Sequence, residues 1–241
     1  MADEDELIVY TDGAVRHIRF NRPQKLNAMT LRQHERVIEA VRAAEKDRAV
    51  RVIAFSGEGK SFCAGDDLKQ TERVWPERYR KRLVEVDIGI GPLLLQEATA
   101  VIRHTRKPTV ALMHGYAIGA GYDYATSCDF RVATIDCLFG DPRVHRALWA
   151  AEGWSYKLTR LVPQGYATKI ALLGELLSGE EAHRIGLVHR VYPDGIDIRE
   201  SARDFLLGVS RLDGETFATI KRQILDGLDL RYESALAHCV W

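Results

Sequence analysis

Two stretches decide how this sequence is read: Ser61-Phe62-Cys63-Ala64-Gly65-Asp66-Asp67-Leu68 and His114-Gly115-Tyr116-Ala117-Ile118-Gly119-Ala120-Gly121-Tyr122-Asp123. Each follows a short apolar run that reads as a buried strand, residues 51–55 and 109–113, and each places small residues where a helix would begin. Small residues let a second backbone or a ligand come close. A helix start also leaves N–H groups without an intrahelical acceptor, pointing outward and suited to negative charge. Two such turns side by side would aim two donors at one oxygen. That arrangement stabilises an enolate or a tetrahedral oxyanion by roughly a few kcal/mol per donor. Gly-rich turns also serve tight packing, so the residues alone leave both readings open.

Outward from these turns the chain alternates strand and helix. Residues 7–10 and 14–20 read as strands around Thr11-Asp12-Gly13. Thr30 and Gln33 have capping-box spacing and open a helix to about residue 46, with Leu31, Val37, Ile38, Val41 and Ala44 on one face. Residues 66–91 are charged and poorly periodic and read as a loop or irregular helix. A helix over 93–104 is stopped by Pro108, and short strands follow at 130–133 and 137–139. Helices dominate from Gly153 onward, at about 164–173, 179–185, 197–209, 214–226 and 230–239, with Ser178 and Glu181 forming a second capping box. The expectation is an α/β core over 1–195 and a helical C-terminal part over 196–241.

Lys plus Arg and Asp plus Glu both number 34, so charge offers no case for nucleic acid or an anionic membrane as partner. A hydrophobic fraction of 46% with 28% charged residues describes a soluble globular chain long enough to bury its own core. Cysteines 63, 128, 137 and 239 form no C-x-x-C pair, which argues against structural zinc and a disulfide framework and fits a reduced cytoplasm. The acidic start, Met1-Ala2-Asp3-Glu4-Asp5-Glu6, lacks a signal core, and no run approaches the roughly 20 apolar residues that span a bilayer.

Taken in order, Asn21-Arg22-Pro23 with Leu26-Asn27-Ala28, the 61–67 and 114–123 runs, Phe139-Gly140-Asp141-Pro142, Leu158-Thr159-Arg160-Leu161-Val162 and Gly174 through Gly186-Leu187-Val188 resemble the crotonase (enoyl-CoA hydratase/isomerase) superfamily over roughly residues 7–230. Each motif alone is weak, and their order and spacing together are strong. The resemblance implies a spiral of ββα turns, a homotrimer or dimer of trimers built through the 196–241 region, and an acyl-CoA substrate. Coenzyme A is then part of the substrate, with no tightly bound cofactor and no metal. It also implies that the N–H groups of Asp66 and Ala120 hold the thioester oxygen. Lys25, Leu26 and Ala28 would lie beside CoA, with Ala64 and Gly119 completing the contact surface.

One departure matters for chemistry. Hydratases of the resembled family use two glutamates, and a carboxylate pair suits that work because one can act as base and the other as acid. Asp123 stands at the first position, one methylene shorter, and Arg143 at the second. A guanidinium cannot be a general base near neutral pH. Glu152, in Ala150-Ala151-Glu152-Gly153, is the candidate replacement, with an ion pair to Arg143 or Arg146 as its alternative role. Arg143 could pair with Asp123 or bind a substrate carboxylate. His145 could titrate near pH 7, whereas His114 is read as ordering the second turn. Tyr122, Tyr124, Trp149 and Trp154 suggest a pocket wall for a cyclic or aromatic acyl group, or ordinary core.

Hydration and isomerisation lead the reading; thioester hydrolysis, cleavage of a β-keto ring and non-catalytic acyl-CoA binding are the alternatives. The run Ala54-Phe55-Ser56-Gly57-Glu58-Gly59-Lys60-Ser61 nearly fits a phosphate-binding loop. A working loop needs its lysine and serine to open a helix, and here they run into Phe62-Cys63. The chain also stops about one helix short of the family's usual end, which reads either as a truncation or as the absence of the closing segment.

Overall fold

In the computed structural model, residues 5–71, 94–148, 152–227 and 229–238 are described. Most of the 66–91 segment, and Trp149 with Ala150 and Ala151, therefore lie outside the described residues.

The chain builds two sheets. Among the described residues the larger has six strands and the smaller three. Strands β1 (Leu7–Asp12) and β2 (Val15–Phe20) form an antiparallel hairpin. Strands β3 (Val52–Gly57), β4 (Thr109–Met113), β6 (Phe130–Thr134) and β9 (Arg190–Tyr192) then join in parallel, β3 pairing with β2. The parallel strands β3 and β4 are buried at every position, which is why they read as continuous apolar runs rather than alternations.

In the middle of the chain, β4 and β6 of the large sheet are each followed directly by a strand of the small one. After β4 comes β5 (Tyr116–Ile118), then α4 (Ala120–Ser127); after β6 comes β7 (Leu138–Gly140), which pairs in parallel with β5. The earlier turn repeats the plan in outline. Cys63 bridges to Ala117, and the four-residue helix α2 (Leu68–Thr71) follows. Strand β8 (Leu176–Ser178) closes the small sheet antiparallel to β7. β5, β8 and β9 are three residues each, too short for a period to be counted in the sequence.

Helix α1 (Leu31–Lys46) has both halves of its capping box: Thr30 Oγ1 accepts from the Gln33 N–H, and the Gln33 side chain accepts from the Thr30 N–H. Helix α3 (Leu94–His104) packs beside it. Ser178 accepts from the Glu181 N–H at the start of α7 (Gly179–Arg184), but the Glu181 carboxylate is taken by Tyr166 and Arg184. Helices α5 (Trp154–Leu161) and α6 (Gln164–Leu172) lie between; α5 was not anticipated from the sequence.

The helix expected over 197–209 is two pieces, α8 (Ile198–Ser201) and α9 (Arg203–Ser210). Ile198, Ala202, Leu206 and Val209 bury against Val15, Val52, Val110 and Val132, so these pieces cover the outer face of the large sheet. Helices α10 (Gly214–Gly227) and α11 (Tyr232–His238) follow. No described helix is long and apolar enough to cross a membrane. After β3 the chain makes a turn at Gly59-Lys60 and no helix opens at Ser61, so the near phosphate-loop motif lacks the structure it would need.

Candidate active site

The two Gly-rich turns meet. Cys63 donates to the Tyr116 carbonyl and accepts from the Ile118 N–H, which brings Gly65 against Gly119. A Cβ on Gly119 would stand 3.2 Å from the Gly65 Cα, and one on Gly121 2.4 Å from the Cys63 carbonyl oxygen. Gly65 and Gly119 also have φ of +99° and +55°, so side chains are barred there by conformation as well as by space.

The pairing leaves two amides free. Met29 donates to the Gly65 carbonyl and accepts from the Asp67 N–H, skipping the Asp66 N–H. Ala120 is the first residue of α4, where no intrahelical acceptor exists. Neither amide donates to an acceptor among the described residues.

Around these amides runs a cleft of about 610 Å³, bordered by Lys25, Ala28, Ala64, Asp66, Gly119, Ala120 and Arg143. Leu26 does not border it. Its φ is +50°, and its carbonyl accepts from the Ala64 N–H. Asn27, fully buried, accepts from the Arg22 N–H and donates to the Ser61 and Glu58 carbonyls, while Arg22 holds the Asp67 carboxylate at 2.9 Å. The 22–28 segment and the first turn are thus laced into one wall.

The opposite wall is organised by Arg143, on a short 3₁₀ turn, Pro142–Arg146, capped by Asp141. Its guanidinium donates to Asp123 at 2.8 Å, to Asp141 at 2.6 and 2.8 Å, and to Glu152 at 3.1 Å. Asp123 and Glu152, separate in sequence, are thereby bridged by one cation. Burial pushes the Asp123 carboxyl up to about 8, with Arg143 opposing and Glu152 adding to the rise. Burial likewise raises Glu152; Arg143 counters this and the charge of Asp66 adds to it. Burial would lower Arg143, but Asp123, Asp141 and Glu152 outweigh it and its pKa rises, so it stays charged. At neutral pH this wall therefore holds a proton on its carboxylates. The second oxygen of Asp123 is buried and has no partner among the described residues.

Three participants were not read from the sequence. Asp141, quoted only as motif, is a ligand of the guanidinium. Lys157 is buried on α5 and donates to the Asp123 carbonyl and to Ser127 Oγ; burial lowers its pKa. With Glu152 and Ser127 it borders a second cavity of about 700 Å³. His34 is buried on α1 and links Asp66 to Tyr124. Its signal was visible: a polar residue on the apolar stripe of Val37, Ile38 and Val41.

Other candidates fall elsewhere. Tyr122 packs on Phe139 and Tyr124 on Phe20, both in the core rather than on the cleft, and Trp154 packs partly buried against the same core. His145 is exposed on the cleft rim. His114 shares a hydrogen bond with the Gly59 carbonyl at 3.0 Å and orders the loop beside it. Among the described residues no cluster of His, Cys, Asp or Glu is arranged to hold a metal ion.

The enoyl-CoA hydratase/isomerase family model matches residues 11–237. An Arabidopsis thaliana protein named "Probable enoyl-CoA hydratase 1, peroxisomal" is 29% identical over 224 residues, covering 93% of this chain and 80% of that one. A peroxisomal Delta(3,5)-Delta(2,4)-dienoyl-CoA isomerase of the same plant is 32% identical over 194 residues, 76% of this chain and 66% of that one. The crystal structure of enoyl-CoA hydratase EchA1 from Mycobacterium marinum superposes with a TM-score of 0.85 at 28% identity, covering 98% of this chain and 88% of that one. The alternation of strands between two sheets is thus the crotonase spiral, and the chain belongs to the enoyl-CoA hydratase/isomerase family.

Proposed function

We propose that the cleft binds an acyl-CoA with its thioester oxygen between the N–H groups of Asp66 and Ala120, and that Asp123 and Glu152 move protons on the acyl chain. The observation that carries this reading is the pair of free amides on two turns that touch at Gly65 and Gly119. Such donors are oriented before substrate arrives and cost no reorganisation when charge develops on the oxygen. Lys25, Ala28 and Ala64 border the same cleft and form the surface for CoA. CoA enters as part of the substrate.

A hydratase or isomerase needs a group that can give a proton and a group that can take one. Asp123 and Glu152, both bound to Arg143 and both raised by burial, can supply both states within one cluster. Arg143 stands where a second base would be. Its role is to keep two buried carboxylates together and to set which of them carries the proton.

Helices α10 and α11 leave Ile220, Ile224, Tyr232 and Leu236 exposed, which supports assigning the 196–241 region to trimer assembly.

The test is incubation with linear, cyclic and aromatic acyl-CoAs, with products followed by mass spectrometry and binding by calorimetry. Gain of water assigns hydration, an isobaric product isomerisation, and free CoA hydrolysis. The ion-paired Arg143 favours one second reading, a non-catalytic acyl-CoA binder, which predicts binding without product. No binding at all overturns the reading.

A further inference from the structure

We propose that Asp66 acts twice: its N–H holds the thioester oxygen, and its carboxylate, anchored by buried His34, removes the proton from the acyl carbon next to the thioester. This rests on the oxyanion reading above and gives the α-proton to Asp66, which leaves to Asp123 and Glu152 only the proton transfers further along the acyl chain.

The Asp66 side chain borders the cleft and is 14% exposed. Its Oδ1 is 3.0 Å from His34 Nε2, and its other oxygen makes no hydrogen bond among the described residues. The His34 ring is almost fully enclosed, with Nδ1 2.5 Å from the Tyr124 hydroxyl. Tyr124 is fully buried, and that ring nitrogen is its one hydrogen-bond partner among the described residues. A buried phenol must place its O–H on an acceptor, so it donates to Nδ1. The imidazole proton then sits on Nε2 and is donated to Asp66. Tyr124 and His34 therefore hold the carboxylate in one orientation from beneath, and among the described residues no cation pairs with its other oxygen.

The other carboxylates are placed differently. Asp123 has no exposed side-chain surface and Glu152 has 2%, and each is bound to Arg143. Both lie behind Arg143, which alone of the three borders the cleft that contains the two free amides. Asp66 alone among the three carboxylates presents its oxygens on that cleft.

The charge accounting also favours Asp66. An ionised carboxylate beside a developing oxyanion would oppose it. If that carboxylate is itself the base, it becomes neutral as the oxygen becomes negative, and the total charge in the cleft is unchanged. The Cα–H bond breaks and its electron pair becomes the C=C of the enolate. The carbonyl π pair moves onto the oxygen between the two N–H groups, and the proton goes to Asp66. Reversal with a solvent-derived proton regenerates the thioester, so enolisation can be followed without a later step.

The experiment incubates the full chain with butyryl-CoA in D₂O and follows loss of the α-proton signal by NMR, with binding measured by calorimetry. The wild-type protein is expected to exchange the α-protons. Asp66→Asn keeps the N–H and an acceptor for His34, so it should bind with unchanged Kd and exchange at least about 100-fold more slowly. His34→Ala should slow exchange by up to about 100-fold at unchanged Kd, as expected for lost positioning. His34→Gln, which can return a donor to Asp66, should recover most of it. Exchange by Asp66→Asn within about threefold of wild type overturns the proposal, since a general base contributes far more. Binding of butyryl-CoA by the wild type without exchange also overturns it while leaving the oxyanion reading intact. A folded Asp66→Asn that no longer binds would assign the carboxylate to ligand binding and overturn it as well. Absence of wild-type binding sinks both.

Discussion

On one wall of the cleft, neutral backbone N–H groups of Asp66 and Ala120 are held in place by touching glycines and by hydrogen bonds between short extended segments. On the other, Arg143 gathers Asp123, Asp141 and Glu152, all with little exposed surface, and Lys157 lies behind them. The first wall holds the oxygen with peptide dipoles that the absence of side chains brings close, and the Asp66 carboxylate stands beside them. The second depends on full charges whose burial is tolerable only because they are paired. The walls should therefore respond differently to substitution, salt and pH.

The largest effect is expected on the charged wall. Arg143→Ala strands three carboxylates and should cost about 3–5 kcal/mol of stability in denaturant titrations, as breaking a buried pair does. The loss should be smaller at pH 5 than at pH 8, because stranded carboxylates escape the penalty by taking protons. Equal loss at both pH values would mean that packing rather than charge holds this wall.

Ala120→Pro probes the neutral wall. It removes one donor at the first position of a helix, where proline is accepted. Turnover should fall by about 10²–10³-fold with the unfolding midpoint nearly unchanged. A large fall in midpoint, or unaltered turnover, would remove the contrast between the walls.

The pH dependence sharpens the comparison further. The folded pKa of Asp123 is raised to about 8, so between the ordinary carboxylate range and pH 8 the folded protein holds a proton that the unfolded chain has released. That contribution to stability is fully present below the ordinary range and is lost as pH rises through about 8. Asp123→Asn should flatten the decline in melting temperature across this window. It should also lower kcat at every pH and leave what remains without a fall above about pH 8. Wild-type melting that is level from pH 5 to 8 would contradict the assignment.

The smallest expected effect lies beneath the neutral wall. Thr30→Ala removes the cap of the helix that carries His34 and should cost about 1 kcal/mol. Turnover is expected to hold, because the core residues of α1 keep His34 in register. A drop in turnover larger than the stability loss would show that the cap helps to position the Asp66 carboxylate.

Much of the neutral wall was legible because its causes are local. Thr30 with Gln33 announced a capped helix, and the apolar runs before each turn announced buried strands. The small residues at 64–65 and 119–121 announced close approach. Resemblance then put Asp66 and Ala120 on one oxygen, and the bridge at Cys63–Ala117 places those turns in contact. The charged wall was legible only as a list. Asp123, Arg143 and Glu152 were each named, with their mutual pairing among several alternatives. Asp141 was quoted as motif rather than as ligand, and Lys157 was missed because the helix carrying it was missed.

The sequence by itself determined where the chain turns, which residues line those turns and which side chains bring charge, since these follow from backbone sterics, periodicity and residue chemistry within a few positions. Only the tertiary structure decided which charges meet, because residues 123, 141, 143, 152 and 157 come together through the stacking of successive spiral turns. It also decided that His34, one residue on an apolar helix face, stands under Asp66. The physical reason is range: hydrogen-bonded turns are set by neighbours in the chain, whereas the energy of a buried charge depends on every group packed around it, whatever its position in sequence.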